Sequence, residues 1–408
     1  MMSGIPNTCH SRLSALFVVF IVLSAGCLGV SREGAKSTDN ITAGGENGRI
    51  DNIQKPKRMF SGSDNEPTCG NETFTVPPLE KGTYDYIDPL GHLNPPDHTI
   101  PTDHIYFMLK RDLPLEGGRG TSIAASVKSP GEVVIYSISE SSYLKDGKKI
   151  NSDYSIEFSL CKEVKGKFGH VSELSVALKN LIKEGGNCNE YPIGSVGDTA
   201  RMCRSDIKYS AKAGEVIGTA GGKVSAALDM WVFDSRIPNP AFANPQRYHA
   251  IYAVCPISYF SKEATEKLNY LGSYAGPRTI EPQCGEINQD KKGTLQGNWF
   301  YGDAVDGPDG WPKSLALVHD NSNPIMGVVS VGGVISKPGT WHFTPAHSGE
   351  VNREFGEVTP SETVYCYESE KSTERFLIQL VDETALKIEK QDGKCGLNAF
   401  VDPKTYER

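Results

Sequence analysis

The sequence predicts a mainly β protein with an antiparallel sheet domain that contains a short helix, followed by a C-terminal β-rich domain. From about residue 84, short runs of β-branched and aromatic residues alternate with turns rich in Gly, Pro, Asp and Asn. A second block of such runs begins after about residue 305. Helical periodicity is confined to residues 172–185 and 261–271. Antiparallel sheet is therefore the expected architecture of both blocks.

The predicted strands follow in chain order. In the first block they are HIYFML, SIAASV, EVVIYSI, YSIEFSL, EVIGTA and LDMWVF. In the second block they are residues 325–335, 339–343, 362–367, 375–381 and 385–390. Asp382 to Thr384 separates the last two runs as a hairpin loop.

Composition divides the chain into five segments. Residues 1–26 resemble a signal peptide, and residues 27–80 are rich in Ser, Gly, Asn and charged residues, which is typical of a flexible tether. The sheet domain is expected over residues 81–240, a connecting segment over 241–305, and the C-terminal β-rich domain over 306–408.

The N-terminal segment predicts the compartment. Leu13 to Ala25 is a run of 13 apolar or small residues that leads directly into Gly26 and Cys27, and Ala25-Gly26-Cys27 resembles the lipidation site of a prokaryotic lipoprotein. A membrane-spanning helix needs about 20 apolar residues. The resemblance implies a lipid anchor on Cys27 and a protein held on the extracytoplasmic face of the cell membrane. An ordinary secretory signal, with Cys27 unmodified, is the alternative.

The charge indicates which classes of partner to expect, and the cysteine content indicates the redox compartment. The formal net charge of −8 argues against nucleic acid, which usually binds a basic face. Beyond Cys9 and Cys27, eight cysteines remain in an exported chain, so disulfides are expected. Eight cysteines allow 105 pairings. Proximity favours the pairs Cys188–Cys203, Cys255–Cys284 and Cys366–Cys395, which leaves Cys69–Cys161.

Three segments carry the candidate chemistry: GHLNPPDHTIPTDHIYF (91–107), KFGHVSEL (167–174) and KAGEVIGTAGGKVSAALDMWVFD (212–234). Together they resemble the lysostaphin-like zinc metallopeptidases, which are murein endopeptidases, over roughly residues 85–240. The histidine element of that family matches around His170, and its Gly-x-x-x-Gly hairpin matches at Gly214 to Gly218. The resemblance implies an antiparallel sheet with a zinc centre.

The ligand positions depart from the family pattern. Where the family has His-x-His, this chain has Ala227 and Asp229. His98 and His104 fall nearest to the His-x-x-x-Asp positions of the first strand, with a spacing of six instead of four. His98, His104 and Asp229 would restore a ligand set of two His and one carboxylate, with a position left open for water.

The remaining roles follow from this assignment. His170 is the predicted catalytic residue, which would move a proton or stabilise an oxyanion. Asp97 and Asp103 flank the histidines and are expected to orient them as hydrogen-bond acceptors. Structural roles for the same side chains are the alternative, because histidines on half-buried strands are commonly hydrogen-bonded structural residues.

Two functions remain open at this point. The first is a metal-dependent hydrolase, using zinc, that cuts an envelope peptide or another envelope polymer. The second is a non-catalytic peptidase-like module that binds an envelope peptide or glycan polymer, or an envelope protein. A fold alone does not distinguish them. They differ in whether His98, His104 and Asp229 converge on one point, with His170 across an open cleft.

Overall fold

The computed structural model describes residues 66–71, 73–111, 121–182, 187–192, 198–222, 224–238 and 241–408. These residues form two large antiparallel sheets, one small hairpin and two one-turn helices, so the predicted mainly β class with a short helix is confirmed. None of the helices in these ranges is long and apolar enough to cross a membrane. The predicted signal segment and Cys27 lie outside the described residues.

The first sheet has eleven strands. They are β1 (Tyr84–Asp88), β2 (Ile105–Leu109), β3 (Ser122–Lys128), β4 (Val133–Lys145), β5 (Lys148–Ser159), β6 (Val164–Leu174), β7 (Asn187–Pro192), β8 (Asp198–Ala211), β9 (Val216–Gly222), β10 (Ala227–Asp234) and β11 (Ala253–Val254). They are hydrogen-bonded in the order β1-β2-β10-β6-β5-β4-β8-β7, while β9 joins β3 to β6 and β11 pairs with β10. The six strand runs predicted for the first block fall on β2, β3, β4, β5, β9 and β10.

Two regions of the first sheet differ from the sequence prediction. The predicted helix at residues 172–185 begins inside β6, and the helix itself is only α1 (Val176–Lys179), capped by the side chain of Ser175. In the second predicted helix, residues 261–271, only α2 (Lys262–Thr265) is helical. Strand β6 contains two Gly and two Lys, which disfavour strands, but hydrogen bonds to both β5 and β10 override this local preference.

The second sheet follows a short hairpin formed by β12 (Gly272–Ser273) and β13 (Gly276–Pro277). Its strands are β14 (Gly297–Phe300), β15 (Ser314–His319), β16 (Gly327–Val331), β17 (Gly339–Phe343), β18 (Tyr365–Glu368), β19 (Glu374–Leu380), β20 (Ala385–Asp392) and β21 (Lys404–Glu407). They are hydrogen-bonded in the order β17-β16-β15-β14-β21-β20-β19-β18. Each predicted run of the second block overlaps one of these strands, and the loop at Asp382 to Thr384 joins β19 to β20.

The second sheet packs against the first through its central strands. Trp299 and Leu317 face the core of the second sheet, whereas Phe300, Ala316 and Val318 belong to the core of the first. Strands β15 and β16 are therefore buried on both faces, which explains their nearly continuous apolar sequences.

Polar contacts also join the two sheets close to the histidine-rich loop before β2. The Ser330 hydroxyl donates to the Thr99 carbonyl at 2.7 Å, and the Asn321 side-chain amide donates to Asp88 at 2.6 Å. The second sheet thus adjoins the segment that carries the candidate ligands.

The N-terminal side of the first sheet is more ordered than the prediction of a tether over residues 27–80 implied. Phe74 and Leu79 are fully buried in the first core, and Cys69 is covalently bound to Cys161. Segments 66–71 and 73–80 therefore belong to the folded domain. The rest of the predicted tether lies outside the described residues.

Four disulfides connect the chain as the sequence predicts. They are Cys69–Cys161, Cys188–Cys203, Cys255–Cys284 and Cys366–Cys395. The first bridge spans 92 residues and ties the N-terminal segment to the turn between β5 and β6. The other three close shorter loops.

We expect the double variant Cys366→Ser/Cys395→Ser to lose about 3 to 4 kcal/mol of unfolding free energy, because the bridge no longer restricts a 29-residue separation in the unfolded chain. Urea denaturation measures this loss. The exposed Ser348→Ala is the control and should change stability by less than about 0.5 kcal/mol. Equal stability of the double variant and the control would show that this bridge is absent or unimportant.

Candidate metal centre

Strand β10 places Asp229 on the open face of the first sheet. In the pairing of β10 with β2, Asp229 lies opposite Tyr106, and in the pairing with β6 it lies opposite Gly169. Residues directly opposite in an antiparallel pair share a face. Ile105 and Phe107, which alternate with Tyr106, are fully buried in the core. Asp229 therefore points away from that core.

His170 reaches the same face through a local change in β6. Residues 164–169 of β6 pair with β10, whereas residues 171–174 pair with β9. His170 lies between the two ladders and has a φ of +58°, in the left-handed region that non-glycine residues rarely adopt. An irregularity of this kind redirects a side chain, and such irregularities are over-represented next to active sites.

The two histidines converge on one carboxylate oxygen. Nε2 of His170 lies 3.4 Å from Oδ2 of Asp229, and Nε2 of His104 lies 3.7 Å from the same oxygen. Nδ1 of His170 donates to Asp153 at 2.6 Å, and Nδ1 of His104 donates to Asp103 at 2.9 Å. Each imidazole is thus oriented by one carboxylate while its other nitrogen faces Asp229.

Burial leaves two atoms of this cluster without hydrogen-bond partners among the described residues. They are Nε2 of His104 and Oδ1 of Asp229, whose side chains are only 4% and 6% exposed. The His170 side chain is 25% exposed, so the cluster opens to solvent on that side. Because buried polar atoms are normally paired, these two atoms are available to a ligand or to water.

The charges around His170 set its protonation. Burial alone would lower its pKa, but the negative charge of Asp229 and the hydrogen bond to Asp153 outweigh burial and raise the pKa to about 9. In the absence of a metal ion, His170 is therefore a cation at neutral pH, lying between two carboxylates.

Trp231 fixes the position of His104. The two rings stack with centroids 3.9 Å apart, and the indole N–H donates to Asp103 at 2.8 Å. Burial would raise the pKa of Asp103, but its hydrogen bonds from His104 and Trp231 prevail and lower it. The indole also lies so close to Gly169 that a Cβ there would be 2.9 Å from the ring, which makes glycine necessary.

His98 and Asp97 lie beside this cluster. The His98 ring centroid is 5.4 Å from that of His104. Burial, together with the positive charges that His104 and His92 can carry, holds the pKa of His98 well below its usual value, so this imidazole is neutral. Burial raises the pKa of Asp97 to about 6. Within the described residues Asp97 forms no hydrogen bond with a histidine, whereas Asp103 bonds to His104.

Sequence reasoning missed Asp153 and Trp231, and it did not involve the second sheet. Trp311 lies in the one-turn 3-10 helix just before β15, with its ring centroid 6.3 Å from that of His98, and its indole donates to Asp306 at 3.3 Å. Asp153 stands one residue before a predicted strand, but only the pairing of β5 with β6 shows which histidine it meets.

A second group of ligand-type side chains lies close together around a disulfide. Among the described residues, Cys69, Cys161 and Glu163 form the set whose ligand atoms all lie within 4.8 Å of one another. The two sulfurs are bonded to each other, and Glu163 accepts the Cys69 backbone N–H at 2.8 Å. Because its two sulfurs form a disulfide, this group is not a candidate metal site, and the candidate centre is the one on β10.

The unusual backbone of His170 generates a testable expectation. His170→Gly and His170→Ala both remove the imidazole, but only glycine adopts a positive φ without steric cost. His170→Gly should be more stable than His170→Ala by about 1 to 2 kcal/mol in urea denaturation. The control pair is Ser172→Gly and Ser172→Ala, two residues along the same strand, where alanine should be the more stable. Alanine more stable than glycine at both positions would exclude the left-handed conformation of His170.

Comparisons of the chain with protein-family models, with curated proteins and with solved structures give no match. The case for a function therefore rests on the chain's own residues. Its strongest part is the convergence of His104, His170 and Asp229, with each imidazole held by a neighbouring aspartate.

Proposed function

We propose that this protein is a metal-dependent hydrolase of an envelope peptide or polymer, with zinc held by His104, His170 and Asp229. The observation that carries the proposal is the approach of two Nε2 atoms to within 3.4 and 3.7 Å of one Asp229 oxygen. Both imidazoles are also held at Nδ1 by an aspartate, which is the usual arrangement around metal-binding histidines.

The distances from the two histidines to Asp229 are close to those between the ligands of a bound zinc ion. Nitrogen and oxygen ligands at about 2.0 to 2.2 Å in a tetrahedron lie about 3.4 Å from each other. Both His–Asp229 separations are near this value and too long for good hydrogen bonds. Among the described residues, no group containing both histidines has all of its ligand atoms within 4.8 Å of one another. Because each Nε2 is closer than this to Asp229, the two Nε2 atoms must be more than 4.8 Å apart. Binding therefore requires the imidazoles to approach each other.

This proposal exchanges two roles predicted from the sequence. His170 becomes a ligand, since its Nε2 is nearer to Asp229 than that of His104. His98, first assigned as a ligand, becomes the neutral imidazole beside the centre. Asp103 keeps its predicted orienting role, and Asp153 takes the role that the sequence gave to Asp97.

The proposed chemistry is hydrolysis by an activated water. Bound zinc with an open coordination position lowers the pKa of a water ligand to about 7. The residues of this chain would hold that centre rigidly, through Asp103 and Asp153, and leave it accessible on the side of His170. His98 is neutral and can accept a hydrogen bond from the reacting water. Ala227 offers no such group at the family's histidine position.

The second candidate is a non-catalytic module that binds an envelope polymer or an envelope protein. Ala227 favours it, because the family's additional histidine is missing from the face of β10 that carries Asp229. The proximity of Trp311, just before β15, also supports a binding role, since aromatic rings are favoured at binding surfaces. Metal binding without hydrolysis would favour this candidate.

The location of the protein is part of the proposal. We propose that a lipid on Cys27 anchors it to the membrane, with the folded domains on the extracytoplasmic side and no nucleic-acid partner. The motivating sequence is the short apolar run before Ala25-Gly26-Cys27. The four disulfides agree with an oxidising compartment.

We expect the purified, oxidised protein to bind one zinc ion, measured by elemental analysis after dialysis and by titration with cobalt as a spectroscopic substitute. Asp229→Asn and His170→Gln should abolish stoichiometric binding, since each removes a ligand. Asp103→Asn and Asp153→Asn should weaken affinity about 10- to 100-fold by loosening an imidazole. His347→Gln, at an exposed histidine of the second domain, is the matched control and should bind normally.

The role of His98 separates the two candidate functions. His98→Gln should keep the metal but lose hydrolysis of cell-wall peptide or glycan preparations if the protein is an enzyme. Loss of stoichiometric metal in His98→Gln, together with normal metal binding by His170→Gln, would restore the ligand assignment made from the sequence. A wild-type protein that binds no zinc would refute the metal centre altogether.

A further inference from the structure

Lys167 presents a positive charge on the same open face as the metal centre. It lies directly opposite Trp231 in the pairing of β6 with β10, and its ammonium is 4.4 Å from the centroid of the indole ring. Asp229 lies opposite Gly169, two residues further along β6. Alternate residues of a strand share a face and are about 7 Å apart. Lys167 therefore lies on the same face as Asp229, diagonally across the two strands.

The charge of Lys167 has no acidic partner within ion-pair distance among the described residues. Glu157 lies opposite Lys167 on β5, but Arg204 donates to both of its oxygens at 3.0 Å. Oδ1 of Asp103 already accepts from His104 and Trp231. Lys167 is thus positioned by the aromatic ring beneath it and not by a salt bridge, which leaves its ammonium available to a ligand.

We propose that Lys167 and Trp231 form a subsite for a carboxylate of the ligand, so that the substrate class is an acidic peptide. A single ammonium matches the single charge of a carboxylate. Phosphate is usually held by a guanidinium fork or by several donors, and Arg204, the guanidinium that approaches this face, is already paired with Glu157 and Asp206. The indole contributes by holding the ammonium in place.

The link from Trp231 to the centre makes the subsite relevant to the reaction. Trp231 stacks on His104 and donates to Asp103, so a carboxylate bound by Lys167 above the indole lies next to a proposed zinc ligand. The inference rests on the proposed function for what happens to the peptide. Binding of the carboxylate itself requires no metal, so the two can fail independently.

The test compares two blocked peptides, acetyl-Ala-Glu-Ala-amide and acetyl-Ala-Gln-Ala-amide, titrated into the full-length metal-free protein by calorimetry. The wild type should bind the Glu peptide about three- to tenfold more tightly than the Gln peptide, since one partly exposed charge-assisted contact is gained. Lys167→Met keeps the hydrocarbon chain over the indole and should abolish this preference without weakening the Gln peptide. Lys208→Met, at an exposed lysine on β8, should keep the preference.

The outcomes are distinct from those of the zinc experiments. Equal affinity of the wild type for both peptides would overturn the inference, whatever the metal content. A preference that survives in Lys167→Met would overturn it as well. Binding of glycerol phosphate that depends on Lys167, with no preference between the peptides, would replace it with a phosphate-bearing polymer. Thermal unfolding of each variant confirms that the fold is intact.

Discussion

The pairing of β10 with strands on both sides is the constraint on which the candidate centre depends. Leu228, Met230 and Val232 point into the core and are fully buried. Each contributes about 1.5 to 3 kcal/mol when withdrawn from water. A shift of one residue would expose all three and bury the residues between them, so the hydrophobic face fixes the register. That register in turn sets Asp229 opposite Gly169 and Trp231 opposite Lys167.

The left-handed conformation of His170 shows how the sheet supports a locally unfavourable geometry. Such a conformation costs about 1 to 3 kcal/mol and persists only where surrounding structure determines it. Here β5 pairs with Val171 and Phe168 on one side, while β10 and β9 hold the two halves of β6 on the other. In a regular strand, the side chain of His170 would lie on the face opposite to the one where Gly169 meets Asp229. The irregularity instead directs His170 toward Asp229.

The sequence contained enough information to predict six of the eleven strands of the first sheet, five of the eight strands of the second and the four disulfides, but only part of the centre. Alternating apolar residues identify β2 and β10 locally, and His104, His170 and Asp229 stand in recognisable segments. The assignment of roles was not local. Asp153 meets His170 only because β5 pairs with β6, and β6 itself is too rich in Gly and Lys to be predicted as a strand. The same nonlocal pairing extends β6 into the start of the predicted helix, at residues 172–174.

The balance of charge in the centre gives the physical reason for a cation there. Asp103, Asp153 and Asp229 are gathered around two imidazoles, and Asp229 is nearly inaccessible to water. Removing carboxylates from water costs several kcal/mol each unless positive charge and hydrogen bonds compensate.

In the metal-free protein, protonated His170 supplies one positive charge, but Oδ1 of Asp229 and Nε2 of His104 stay without partners. A second proton on His104 would satisfy its nitrogen but leave Oδ1 of Asp229 without a partner. A divalent cation would accept lone pairs from both histidines and from Asp229 at one point. It would leave neither imidazole with an unpaired nitrogen, and this is the physical basis for proposing a metal centre.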